Sequence, residues 1–487
     1  MLYYAKLMCT STFKKIKVIV YKCTKKFRRN KMPALQIIAT ILAVALLIFA
    51  ISKKLNATTT LFCIGFIILA VMSLINHTSV MGEDSIGSGF LDLFEYLAKQ
   101  FASQTTKSGI LIMSVMGFVF YMNHLKASNL LALLAAKPLK KLKSPYIAVG
   151  LAVFIGAVLK LFVPSHSGLT TLLMATIYPI LIQIGVKKKT AVSTVVLSGA
   201  FDIGPACPVS TYVVKLDGIA SETTISEFFV HQQLPVTVIT ILVVIAVFLV
   251  ISIKEDKKDG SVAEAGETQD PKALGIPMFY ALFPMIPLVL VLVFSKLVIG
   301  SIVMSVTAAN ILGFTIAFII NILCSKDKKA AFNDTQKFFD GMGNSFASVI
   351  ALIIGAAVFT AGLNAIGGIS YILGSLSSGG SGATVAMIVA SGITLLTSLI
   401  TGSGVAATYA IAPLMPPVAA ATGISVLKLV EPVILSGGMG RAVAPVSAAV
   451  IIACRMSGVD IMDVVKRNIA PVLSGFVALI IASLVIL

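Results

Sequence analysis

Apolar runs recur along the chain at 33–52, 58–76, 109–121, 234–253, 277–298, 302–324 and 469–487. Each is long enough, or nearly so, for a helix to cross a hydrocarbon layer of about 30 Å. The pattern predicts a helical membrane protein with many crossings. Four polar interruptions then stand out. The first two are VPSHSGLTT (163–171) and LSGAFDIGPACPVS (197–210); each has an echo, ITGSGVAAT (400–408) and LSGGMGRAVAPVS (435–447). Val119-Phe120 faces Val358-Phe359 at a similar offset.

The echoes divide the chain into two repeats, 33–254 and 276–487, joined by a polar linker, 255–275. Each repeat predicts three apolar helices, with an amphipathic stretch before the third (90–101; 332–342) lying at the membrane interface. A hairpin of two apolar arms follows (145–186; 383–424), then a broken helix (190–215; 427–455) and a last crossing. The hairpins are flanked at both ends by loops of one side and read as re-entrant. Five crossings per copy turn the second copy upside down. The predicted fold is therefore an all-α polytopic membrane protein, an inverted repeat of two five-helix halves, each with a re-entrant hairpin and a broken helix.

Composition agrees, with 57% hydrophobic and 12% charged residues in 487. The formal charge of +18 has an uneven distribution, since residues 1–31 hold ten Lys/Arg and no acid. A basic arm beside a helix points to a cytoplasmic membrane face rather than to nucleic acid. Alternate loops carry 21 Lys/Arg against three. By the positive-inside rule the linker is cytoplasmic and the C-terminus outside. The arm 1–31 falls on the wrong side of this alternation, so translation is expected to start at Met32, making 1–31 an extension that is not translated. Six dispersed cysteines suggest neither a disulfide framework nor a metal site. There is no P-loop and no nucleophile–base pair in the apolar segments. A carrier is expected, not an enzyme, with no cofactor beyond Na⁺ or H⁺ as coupling ion.

Backbone that leaves helical form inside a bilayer must line a cavity or be buried in protein. Gly168 and Gly404 are expected to turn the chain sharply. The helix arms after each tip offer free N–H groups and positive dipole ends to an anion. Ser165, Ser167, Thr401 and Ser403 add hydroxyls beside Gly402, and Ser447 closes the second break. Close packing of small residues is the competing explanation for any one of them. Charges within apolar segments are costly and therefore informative, and these are Lys160, Asp202, Glu431 and Arg441. Arg441 matches a carboxylate with a planar fork; its competing role is a structural pair with Glu431 or Asp202. Lys160 is a second positive group, or a partner of Asp202. Asp202, with Ser198, Ser210 and Ser436, is assigned to the coupling cation. His124 reads as interfacial. Two cationic groups and two helix ends suit a dicarboxylate; a monocarboxylate or an acidic amino acid also fits.

The segments YMNHLKASN, KPLKKLKSPY, SHSGLTTLLMATIYPILIQIGV, TGSGVAATYAIAPLMP, GRAVAPVSAAV and VVKRNIAPVL, in this order from Met32 to the C-terminus, resemble the anaerobic C4-dicarboxylate transporter family of the DcuC type. The resemblance implies inner-membrane exchange or efflux of fumarate, succinate and malate. It also implies a transport domain of hairpins and broken helices that moves against a scaffold, in a homodimer surrounded by lipid. Lys160, Asp202 and the PACPVS break depart from the family pattern. A carrier for another carboxylate or an amino-acid-like anion is the alternative, and a passive channel a third.

Overall fold

The computed structural model describes residues 33–53, 55–76, 79–216, 218–219, 223–257, 270–367 and 382–487. The basic extension, linker residues 258–269 and the loop 368–381 lie outside the described residues. The described residues form helices and no strands. Eight of the helices are long and apolar enough to cross a membrane.

The first half runs α1 (Pro33–Ser52), α2 (Ala57–Asn76), α3 (Leu91–His124), α4 (Ala127–Ala135), α5 (Pro145–Leu159), α6 (His166–Gln183), α7 (Lys188–Ser198), α8 (Pro208–Val213) and α9 (Ile225–Asp256). The second runs α10 (Met278–Val293), α11 (Val306–Cys324), α12 (Lys328–Ile366), α13 (Gly382–Thr401), α14 (Gly404–Thr422), α15 (Val426–Ala442), α16 (Ala448–Ser457) and α17 (Ile461–Ile486).

The helices sort into two packed groups. In one, α3 packs on α11 and α12, α12 packs on α2, and α4 packs on α10. The long helix of each half thus lies on the second helix of the other. The α3–α12 crossing is made by glycines: a methyl at Gly341 of α12 would stand 2.7 Å from the Met116 carbonyl of α3, and one at Gly117 of α3 would stand 2.8 Å from that of Phe338. Without a side chain at either position the two backbones touch, as small-residue helix interfaces in membranes allow. The second group holds α5–α9 with α13–α17, where α13 and α14 pack on α15, and α9 and α7 on α17.

Two features differ from the sequence reading. The amphipathic stretches 90–101 and 332–342 are not separate elements. Each continues through one π turn, Thr105–Gly109 and Phe346–Ile350, into the apolar helix behind it. Their apolar faces belong to the long helices α3 and α12. The second break is also shorter than expected. Helix α7 stops at Ser198, directly before Gly199 of LSG, but α15 continues through Gly437, Gly438 and Gly440 to Ala442. Those glycines serve close packing rather than chain reversal. A methyl on Gly437 would run into Thr408 and the Gly404 backbone, one on Gly438 into the Ala200 carbonyl, and one on Gly440 into the Leu395 carbonyl. The irregular segments are 199–207 in the first half and 443–447 in the second.

Candidate functional site

Both hairpin tips end in a serine that caps the following helix. Ser165 Oγ accepts from Gly168 N, and Ser403 Oγ from Ala406 N, each at 3.2 Å. One cap satisfies one of the donors that a helix start leaves open and fixes where the others point. Gly168 and Gly404 lie in the first helical turns and do not turn the chain. The left-handed residue is Gly402 (φ +73°), where a Cβ would be strained. Thr401 Oγ1 accepts from Ser403 N at 3.2 Å, and the Ser165 and Ser167 hydroxyls lie 3.4 Å apart.

The tips meet across a cavity of about 570 Å³. Ser165, Ser167 and Gly168 line it from one side and Gly402, Ser403 and Gly404 from the other; Asp202, Arg441 and Ser447 also face it. The remaining sequence-derived residues stand behind it. Lys160 is buried at the end of α5, where Nζ donates to the Pro164 carbonyl and lies 3.4 Å from Asp202 Oδ1. Ser198 Oγ donates to the Thr194 carbonyl of its own helix at 2.8 Å. Ser436 is buried and its hydroxyl has no partner among the described residues, and Ser210 Oγ accepts from Gln233 Nε2 at 2.9 Å. Thr401 supports the tip without lining the cavity.

Arg441 occupies the last turn of α15, not the break. Its Nη2 donates to Asp202 Oδ1 at 2.5 Å, while its Nε is buried with no partner among the described residues. Of its two candidate structural partners, Asp202 is the one it meets. Asp202 therefore sits between two cations, Lys160 and Arg441, and the cluster keeps one positive charge. Glu431 lies elsewhere, fully buried in α15, with Oε2 accepting from Gln233 Nε2 at 3.3 Å. His124 sits at the end of α3, Nε2 2.8 Å from Asp334 Oδ1.

The structure adds residues that the sequence reading passes over. His166 lines the cavity from the first tip. Its Nε2 donates to the Val196 carbonyl at 3.1 Å, and Nδ1 has no partner among the described residues. Asn123 of α3 and Asn344 of α12 face the same space. A histidine between two tip serines and, for Asn123, a lone amide in an apolar helix are the signals that could have flagged them; Asn344 lies in a polar stretch that carries no such signal. Gln233 is buried at the start of the long stretch of α9. Its Oε1 accepts from Gly204 N at 2.8 Å, and its Nε2 reaches the Asp202 carbonyl at 3.4 Å.

A second cavity, of about 790 Å³, includes Lys107, Lys215, Gln104, Asn364 and Tyr212 in its lining. Helices α8 and α14 separate the two. Pro208 and Val209 of α8 face the first cavity and Tyr212 the second; Gly404 of α14 faces the first and Pro416 the second. Within this partition the rings of Tyr212 and Tyr409 stack edge to face, centroids 4.8 Å apart.

The family model of the C4-dicarboxylate anaerobic carrier, DcuC, matches residues 34–487. The anaerobic C4-dicarboxylate transporter DcuC of Escherichia coli K12 is 30% identical over 434 residues, covering 89% of this chain and 93% of that protein. Among solved structures, the YdaH transporter of Alcanivorax borkumensis aligns with a TM-score of 0.56 at 14% identity, over 88% of this chain and 97% of that one. MtrF of Neisseria gonorrhoeae, from a class of antimetabolite efflux pumps, aligns with a TM-score of 0.57 at 12% identity, over 90% and 96%. At that identity the two structures speak to the fold alone. The chain belongs to the C4-dicarboxylate anaerobic carrier family, and it is a multi-pass membrane protein.

Proposed function

We propose that this member of the C4-dicarboxylate anaerobic carrier family carries succinate, fumarate or malate across the bacterial inner membrane, as an exchanger or an ion-coupled carrier. The observation that carries the reading is the unpartnered Nε of Arg441, buried at the wall of a cavity into which two capped helix N-termini open. One substrate carboxylate meets the Arg441 guanidinium and the start of α14. The other meets the start of α6, beside Ser165 and Ser167. Helix ends and a guanidinium both favour carboxylates. The net positive charge of the Lys160–Asp202–Arg441 cluster favours a dianion over a neutral solute. His166 Nδ1 is free to accept from a substrate hydroxyl, as malate offers.

Transport follows from alternating exposure of this cavity. The first packed group acts as scaffold, and the second, with the tips and breaks, as the moving part. Two cavities on either side of the α8–α14 partition, rather than one open path, support a carrier over a channel. The order of elements repeated in the two halves supports the inverted repeat with re-entrant tips, and the Lys/Arg bias of the loops supports a cytoplasmic linker and a C-terminus outside.

The test is uptake of labelled succinate by proteoliposomes, with and without internal succinate, a Na⁺ gradient and a pH gradient. Saturable uptake that competes with fumarate and malate is expected. Saturable uptake of acylated amino acids instead would assign another substrate, and unsaturable currents would assign a channel.

A further inference from the structure

Glu431 is fully buried in the middle of α15. Its neighbours along the helix, Val430, Val433 and Ile434, are fully buried as well. Among the described residues it has one hydrogen-bond partner, Gln233, and its Oε1 has none. The elements packed against α15 bring few charges. Lys188 and Lys189 open α7, Asp463, Lys466 and Arg467 open α17, and α9 carries Glu227 and His231 at its start and Lys254, Glu255 and Asp256 at its far end; Asp202, Cys207, Tyr212 and Tyr409 are the other titratable groups on the segments packed against α15. On α15 itself stand Lys428 and Arg441. None of these pairs with Glu431. A lone carboxylate among apolar side chains is expensive, and the neutral acid much less so. Ionisable groups placed this way inside membrane proteins mark proton relays and ion pathways.

The carboxyl is also wired to the cavity. The two hydrogens of Gln233 Nε2 are shared among Glu431 Oε2, Ser210 Oγ and the Asp202 carbonyl, of which Ser210 Oγ is nearest at 2.9 Å, while Gln233 Oε1 accepts from Gly204 N. Asp202 and Gly204 lie in the first irregular segment and Ser210 in the first turn of α8, directly after it. Asp202 then contacts Arg441 directly. A change of charge on Glu431 alters what Gln233 can donate, and so the set of the loop that holds the partner of Arg441.

We propose that Glu431 is a proton-carrying site of the transport cycle. The step is loss and regain of one proton at the carboxyl oxygen: the O–H bond breaks, the proton passes to water on one side of the membrane, and the reverse occurs on the other. Gln233 couples that charge to the Asp202–Arg441 pair. This rests on the carrier reading and moves the coupling role from Asp202, already held by two cations, to a carboxyl with none among the described residues.

Two measurements on the full-length chain test it. The first is the proton-to-succinate flux ratio in proteoliposomes, read with an internal pH dye and labelled succinate. Glu431→Gln keeps the shape and an acceptor for Gln233, and is expected to lower the ratio by one proton, whatever the rate. An unchanged ratio, or wild-type flux driven by Na⁺ without proton movement, overturns the proposal. The second needs no variant and no transport: wild-type protein in detergent is treated with dicyclohexylcarbodiimide, an apolar reagent for protonated carboxyls, and mapped by mass spectrometry. An adduct at Glu431 that forms more slowly as pH rises is expected; labelling that spares Glu431 overturns it. Should wild-type protein move no succinate, the carrier reading fails while this labelling still decides the proton site.

Discussion

Arg441 and Asp202 are 239 residues apart in the chain, one in each half, and their side chains meet at 2.5 Å. The pair closes one wall of the cavity and holds the guanidinium with Nε left over. Its partner Asp202 has a second cation, Lys160, at 3.4 Å. Removing the arginine therefore leaves Asp202 paired. Arg441→Ala should insert and fold, and should weaken substrate binding by about 2–4 kcal/mol, roughly thirty- to thousandfold in apparent affinity. Initial uptake rates against succinate concentration read this directly, and an unchanged half-saturation would remove Arg441 from the site.

The equivalent glycines of the two tips should behave differently. A methyl on Gly404 would run into the Gly437 carbonyl, which is backbone and cannot step aside. A methyl on Gly168 meets Ser165 Cβ and Oγ at 3.3 Å and no backbone. Gly404→Ala should cost about 1–3 kcal/mol of stability by overpacking, and Gly168→Ala much less. Thermal unfolding of the two purified variants side by side checks the asymmetry.

Away from the cavity, Asp256 accepts from Arg467 Nη1 at 2.5 Å and from Thr190 Oγ1 at 2.7 Å, joining the ends of α7, α9 and α17. Both charged side chains are buried. Asp256→Asn should destabilise by about 3–5 kcal/mol, because it leaves a buried guanidinium uncompensated. Replacing both, as Asp256→Leu with Arg467→Met, should recover much of the loss. The yield of monodisperse protein and its melting temperature report both effects.

The Tyr212–Tyr409 pair stands between the two cavities. Truncating both rings to Ala removes about 0.5–1.5 kcal/mol of ring–ring contact and opens space in the partition. The double variant should leak substrate down its gradient without counter-substrate, seen as faster efflux from preloaded proteoliposomes. Unaltered efflux would place the partition elsewhere.

Much of this arrangement was legible in the chain because charge and broken backbone are expensive in a membrane. Lys160, Asp202 and Arg441 stood out against apolar runs, and the paired Ser-Gly tips stood out by repetition; the fold gathers them at one cavity or directly behind it. The GGMG stretch misleads because glycine marks both a turn and a close helix contact, and only the facing backbone distinguishes them. Asp256 and Arg467 sit beside charged loops and look solvated in sequence; their burial comes from three helix ends converging, which no local pattern encodes. Gln233 and His166 are polar without being charged, so they weigh little in a hydropathy profile although each organises buried hydrogen bonds.

The central claim is that one carboxylate site is built from both tips and Arg441. Equilibrium binding of labelled succinate to purified protein in detergent tests it most directly, comparing wild type with Arg441→Lys. That change keeps the charge and loses the planar fork. Saturable one-site binding by wild type, and binding at least roughly tenfold weaker in the variant, or about 1.4 kcal/mol, at an unchanged melting temperature, is the predicted result. Equal affinity in the two proteins, or no saturable binding by wild type, would contradict it.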